Sequence, residues 1–166
     1  MKLPSKKDWG SYEDDFDLKD LYKLFFGKRI EDVYYYFKDH AYISRADELL
    51  YASKKVFQYY IYAFVLYLES DMGCDDDEAK EVFLRLLVDR EKKDKGSVCS
   101  IYFNKVNVDY SDANTQAFEI SIESIANRIY KDYIAGKIDN ELYEDIPYLV
   151  QEIHKLCGVK NEENKS

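Results

Sequence analysis

The apolar positions of this chain recur mainly at the 3.6-residue spacing of amphipathic helices. In the densest run, Val56 to Leu68, Gln58 is the one polar residue that is not aromatic; Lys54 and Lys55 precede the run and Glu69, Ser70 and Asp71 follow it. A helix this apolar on nearly all sides must be enclosed by other elements. It also falls short of the about 20 apolar residues that a membrane crossing takes. The pattern predicts a central buried helix, capped by Ser53 and ending near Glu69.

Other segments supply the enclosure. An irregular lead-in over 1–11 carries Trp9. Asp17 is placed to cap a helix whose stripe is Leu18, Leu21, Tyr22, Phe25 and Phe26, with Gly27 closing it. A second helix is expected over about 29–38 on Ile30, Val33, Tyr34 and Phe37. A break at 39–42 follows, then a short helix capped by Ser44. One of Asp75, Asp76 and Asp77 should cap a helix bearing Ala79, Val82, Phe83, Leu86 and Leu87.

The second half reads less evenly. Over 97–114, Val98, Ile101, Tyr102 and Val106 fit a helix, whereas Val106, Val108 and Tyr110 alternate as a strand would; the helix is favoured. Phe118, Ile122, Ile125, Ala126, Ile129, Tyr130 and Tyr133 predict one long helix closed by Gly136. A last helix, capped by Asp139, carries Leu142, Ile146, Leu149, Val150, Ile153 and Leu156, and Pro147 predicts a kink or a fresh start near Ile146. The expected fold is all-α, a single-domain bundle of about six to eight helices around the central one. A small β element near 101–110 stays open, and 160–166 is expected to fray.

Charge narrows the function. With 33 acidic and 24 basic residues the net charge is −9, so direct binding of nucleic acid or of an anionic membrane surface is not expected. The natural complement is a basic protein, because opposite fields steer encounter. Cys74, Cys99 and Cys157 form no disulfide or zinc pattern; Cys99 and Cys157 read as small buried hydrophobes. The basic start, Met1 to Trp9, lacks the apolar core of a secretory signal, and a reducing cytoplasm is the simplest home.

Catalytic patterns are wanting. His40 and His154 stand in no recognisable motif, and nucleophile-elbow, zinc-protease, phosphate-loop and dinucleotide signatures are absent. Counted from Asp71 or from Asp75, the acidic run fails the calcium-loop register at its sixth and twelfth positions. Asp14, Asp15 and Asp17 could form a glycosidase pair only in principle, since acids adjacent on a loop are usually just solvated. No catalytic residue, cofactor or metal is expected. Tyr34-Tyr35-Tyr36 and Tyr59-Tyr60 read first as core, then as anchors of a protein interface.

Three segments carry a family resemblance: 17–28 (Asp-Leu-Lys-Asp-Leu-Tyr-Lys-Leu-Phe-Phe-Gly-Lys), 56–64 (Val-Phe-Gln-Tyr-Tyr-Ile-Tyr-Ala-Phe) and 83–87 (Phe-Leu-Arg-Leu-Leu). Their order and spacing resemble small acidic bacterial proteins found beside polymorphic or contact-dependent growth inhibition toxins, where they act as immunity proteins. The resemblance spans the first half to two thirds of the chain and rests mainly on core and cap residues. It implies neutralisation of a cognate toxin domain, a nuclease by its charge logic, through occlusion of a basic cleft. Asp14, Asp15, Asp17, Asp75, Asp76, Asp77 and Glu78 would supply the field, and Tyr35, Tyr36 or Tyr110 the anchors. The alternative is an acidic nucleic-acid mimic that inhibits a DNA-binding protein.

Overall fold

A computed structural model of the chain describes residues 1–108 and 118–159. It is mostly helical, as the periodicity predicts. Among the described residues the α-helices are α1 (Phe16–Phe25), α2 (Ile30–Val33), α3 (Tyr42–Tyr51), α4 (Lys54–Glu69), α5 (Asp77–Lys93), α6 (Ile122–Ile134) and α7 (Ile146–Leu156). Short 3₁₀ turns lie at Lys6–Trp9, Tyr12–Asp14 and Tyr34–Phe37. Strands β1 (Val106–Val108) and β2 (Phe118–Ile120) pair antiparallel, Val106 opposite Ile120. No helix among the described residues is long and apolar enough to cross a membrane.

The central helix is α4. Ser53 caps it by accepting the Val56 N–H, and every side chain from Tyr59 to Leu68 is buried. Its neighbours are α2, α3, α5 and the 3₁₀ turns at 6–9 and 34–37. Polar groups on α4 and α5 bind the carbonyls that other helix ends leave open. The Tyr60 hydroxyl lies 2.7 Å from both the Phe25 and the Lys28 carbonyl oxygens, clamping the end of α1. Arg90, only 2% exposed, donates to the Leu50 and Ala52 carbonyls at the end of α3 and stacks 4.9 Å over the Phe57 ring. Its neighbour Glu91 accepts the backbone N–H groups of Gly96, Val98 and Cys99, which fixes the loop after α5.

Several sequence expectations need correction. Asp15, not Asp17, caps α1, accepting the N–H groups of Asp17 and Leu18. The helix expected over 29–38 divides into α2 and the 34–37 turn, and Asp39 and His40, both at positive φ, end it. Ser44 lies inside α3 rather than capping it. The helix favoured over 97–114 does not form in its described part: 97–105 is a turn-rich loop held by Glu91, and Val106–Val108 is a strand. The strand alternation noted there was the better guide; 109–114 lies outside the described residues. Phe118 belongs to β2, so the stripe that starts at Phe118 is two elements, with Ser121 capping α6 between them. Asp139 caps only a turn, accepting from Glu141 and Leu142, and α7 starts afresh at Ile146 with Pro147 in its first turn, where a missing N–H costs nothing.

The cysteines also differ from expectation. Cys99 and Cys157 form a disulfide across a sequence separation of 58, tying the loop after α5 to the end of α7. They are half-buried, not core thiols. The inference of a reducing compartment rested on unpaired cysteines and loses that footing.

Candidate protein-binding face

The proposed site residues fall into three places. Asp14, Asp15 and Asp17 lie at the start of α1, and the charges of Asp17 and Asp20 act on Glu48 of α3. Asp75, Asp76, Asp77 and Glu78 lie at the start of α5, and Asp76 and Glu78 act on Tyr42, the first residue of α3. The two clusters thus flank opposite parts of one helix, Tyr42 and Glu48 being six positions, about 9 Å of rise, apart. Tyr35 and Tyr36 sit beyond the far end of α1, their rings 4.3 Å apart and Lys28 over Tyr36. Phe25 backs Tyr36, and Tyr35 is 40% exposed. Tyr110 lies outside the described residues.

The carboxylates do unequal jobs. Asp15 and Asp76 are helix caps, and Asp76 also accepts the Tyr67 hydroxyl at 3.0 Å. Asp77 pairs with Lys80 at 3.0 Å. Asp14, Asp17 and Asp75 are exposed. Part of the expected anionic field is therefore engaged locally, and the cluster on α1 is small.

The larger field is at the start of α5, and it is larger than the sequence reading made it. Tyr143 packs there, between α6 and α7 in the chain. Burial raises its phenol above the usual range, and the charges of Glu78, Asp77, Asp76 and Glu81 raise it further. Arg85 reaches Glu81 at 3.4 Å and Asp145 at 3.2 Å, tying the two segments together. Residues 71–81 and 139–145 together hold ten carboxylates and one cation, Lys80. Their net charge of −9 equals that of the entire chain, so everything else sums to neutrality. Leu142 is 71% and Tyr148 57% exposed beside this field, apolar groups that no packing requirement keeps at the surface.

Sequence reasoning named Asp75 to Glu78 as candidates and did not name the carboxylates of 139–145 that the fold brings near them. Asp139, Glu141, Glu144 and Asp145 are dispersed over a turn 60 residues away, read there as part of a helix. The only available signal was that Leu142 and Tyr148 have no place on the α7 stripe once Pro147 restarts it.

Among the described residues no group of three His, Cys, Asp or Glu side chains is arranged to hold a metal ion. His154 is held below the usual imidazole range by burial, against a smaller opposing pull from Glu123, and its Nε2 has no hydrogen-bond partner. No protein-family model, curated protein or solved structure matches the chain. None of these comparisons bears on the resemblance to immunity proteins.

Proposed function

We propose that the protein binds and neutralises a basic partner, a cognate nuclease toxin domain, through the face at the start of α5. The observation that carries this reading is the acidic face of residues 71–81 and 139–145: ten carboxylates, four of them acting on Tyr143, against Lys80 and the bridging Arg85, with Leu142 and Tyr148 exposed in and just after the second segment. Protein interfaces centre on aromatic and aliphatic anchors within a polar rim. A carboxylate rim would displace phosphate from a cationic cleft and speed encounter. The resemblance to immunity proteins points the same way. Tyr35 and Tyr36 are set apart from this face and have a smaller part in the proposal than the sequence assigned them. The nucleic-acid-mimic reading draws on the same charge; the action of four carboxylates on one phenol, Tyr143, supports a protein interface over a duplex mimic.

The test is association with any toxin domain encoded beside this gene, measured by stopped flow at low and high salt. The triple variant Asp75→Lys, Glu78→Lys, Glu144→Lys should associate about 100-fold more slowly at low salt and fail to rescue growth. An unchanged low-salt rate would remove the face from the proposal. Equal inhibition of unrelated DNA-binding proteins would favour the mimic.

A further inference from the structure

A groove of about 180 Å³ lies between α3 and α5. Each wall is a stripe at i, i+3, i+4 and i+7, from Ile43 to Leu50 on α3 and from Val82 to Asp89 on α5. The two helices run in the same direction. Asp76 and Glu78, at the start of α5, act on Tyr42 at the start of α3, and Arg90, late in α5, binds the carbonyls that end α3. The stripes therefore lie side by side for about 10 Å, two turns of helix. The volume is below the range of small-molecule sites, so the groove has room for side chains of a partner.

Its chemistry has two parts. The floor is apolar: Leu86 is buried, Leu50 and Val82 are half-buried, and Ile43 is 46% exposed. The walls are anionic. Asp47 on α3 and Asp89 on α5 are exposed, and neither makes an ion pair among the described residues. The cations nearby are engaged elsewhere. Arg45 pairs with Glu48 at 2.6 Å, and Lys93 lies 5.2 Å over the Tyr51 ring. Arg85, which lines the groove, is held by Glu81 and by Asp145. That last contact makes the groove continuous with the acidic face, since Asp145 belongs to both.

The form of the occupant follows from the walls. Both are helices, whose backbone groups are bonded internally and offer nothing to a strand. An occupant must satisfy its own backbone, which a helix does. We infer that this groove receives one amphipathic helix of the basic partner, an aliphatic side chain seated among Ile43, Leu50 and Leu86, and a lysine or arginine at each of Asp47 and Asp89. The inference rests on the acidic face being the partner's docking surface, and it adds the element of the partner that docks. The two regions then divide the work: the carboxylates of the face set the rate of encounter, and the apolar seat sets how long the complex lasts.

Labelled peptides of about 15 residues, long enough to form a helix, test this by fluorescence anisotropy on the whole protein. One is built of Leu, Lys and Ala with its leucines on a single helical stripe flanked by lysines. The second has the same composition in scrambled order, and the third has Glu in place of Lys. The striped peptide should saturate at one site, about tenfold tighter than the scrambled one, and the Glu peptide should not bind. Ile43→Ser should weaken the striped peptide about tenfold and bring it level with the scrambled one. Asp47→Lys with Asp89→Lys should weaken both Lys peptides, more at low salt than at high. Circular dichroism of both variants should match the parent. Amide chemical-shift changes on adding the striped peptide should centre on 43–50 and 82–89. The inference is overturned if the striped and scrambled peptides bind equally well, if the striped peptide does not saturate, or if neither variant changes its affinity. Shift changes centred on 71–81 and 139–145 would also overturn it while leaving the acidic face standing, because that face is judged separately by the association rate.

Discussion

Tyr67 and Tyr62 lie on the same helix, are buried to the same degree and have the same chemistry, yet they end differently. At one end of α4 the Tyr67 hydroxyl meets Asp76, itself the cap of α5, and the interaction welds the acidic face to the core. Near the middle of the same helix the Tyr62 hydroxyl has no hydrogen-bond partner. A satisfied buried group contributes to the architecture, whereas an unsatisfied one carries a desolvation cost. The contrast shows that burial alone does not decide whether a phenol is bonded; a neighbouring helix cap does.

The comparison can be broken most forcefully through the disulfide. Cys99 anchors the loop after α5 and lies far in the chain from residues 71–81. Reduction, or the double change to Ser, should lower unfolding free energy by about 2–4 kcal/mol, the usual range for closing a loop of this length. Urea melts with and without reductant measure it. Hydrogen exchange should rise over 97–106 and stay unchanged over 71–81. Equal loosening of both regions would show that the ends of α4 are not independent.

Glu48 sharpens the contrast as an intermediate case. One of its oxygens accepts from Arg45 at 2.6 Å and the other has no partner. Burial, the dominant influence, pushes its carboxyl up to about 7, Arg45 pulls it back, and Asp20 and Asp17 push it up a little more. The folded protein therefore holds this proton more tightly than the unfolded chain, whose carboxyl titrates near 4.5. The sign follows: this group's stabilisation is complete below about pH 4.5 and is lost as pH rises toward 7. The loss is roughly 2 kcal/mol, less than the full shift implies because Arg45 relaxes with the carboxylate. Glu48→Gln should flatten that slope, making the variant relatively more stable at pH 8 than at pH 5 in paired urea melts.

The smallest effect is the most direct. Tyr67→Phe breaks a hydrogen bond to a carboxylate and should cost about 1–2 kcal/mol. Tyr62→Phe breaks none and should fall within about 0.5 kcal/mol of the parent, or above it. Thermal melts of the two variants side by side decide it; equal losses would mean that Tyr62 has a partner after all.

The sequence by itself determined the helical class, the central position of α4, its Ser53 cap and the cap among Asp75 to Asp77. These follow from local rules: a stripe every 3.6 residues and a side-chain oxygen before the first turn. It also marked Pro147 as a restart, because a missing N–H is felt within one turn. What it misread depended on residues distant in the chain. The 97–105 loop has helix-like spacing, but Glu91 binds its backbone N–H groups and so replaces the helical bonds. Phe118 fits the stripe of α6 but is drawn into a strand opposite Val108. Pairing of Cys99 with Cys157 needed α7 folded back beside that loop. The candidate face is likewise half local and half tertiary: Asp75 to Glu78 are contiguous, whereas Tyr143 and its carboxylates arrive only through the packing of α5 against α7. Which buried hydroxyl finds a partner is decided by three-dimensional neighbours alone, since Tyr62 and Tyr67 look the same in the one-dimensional pattern.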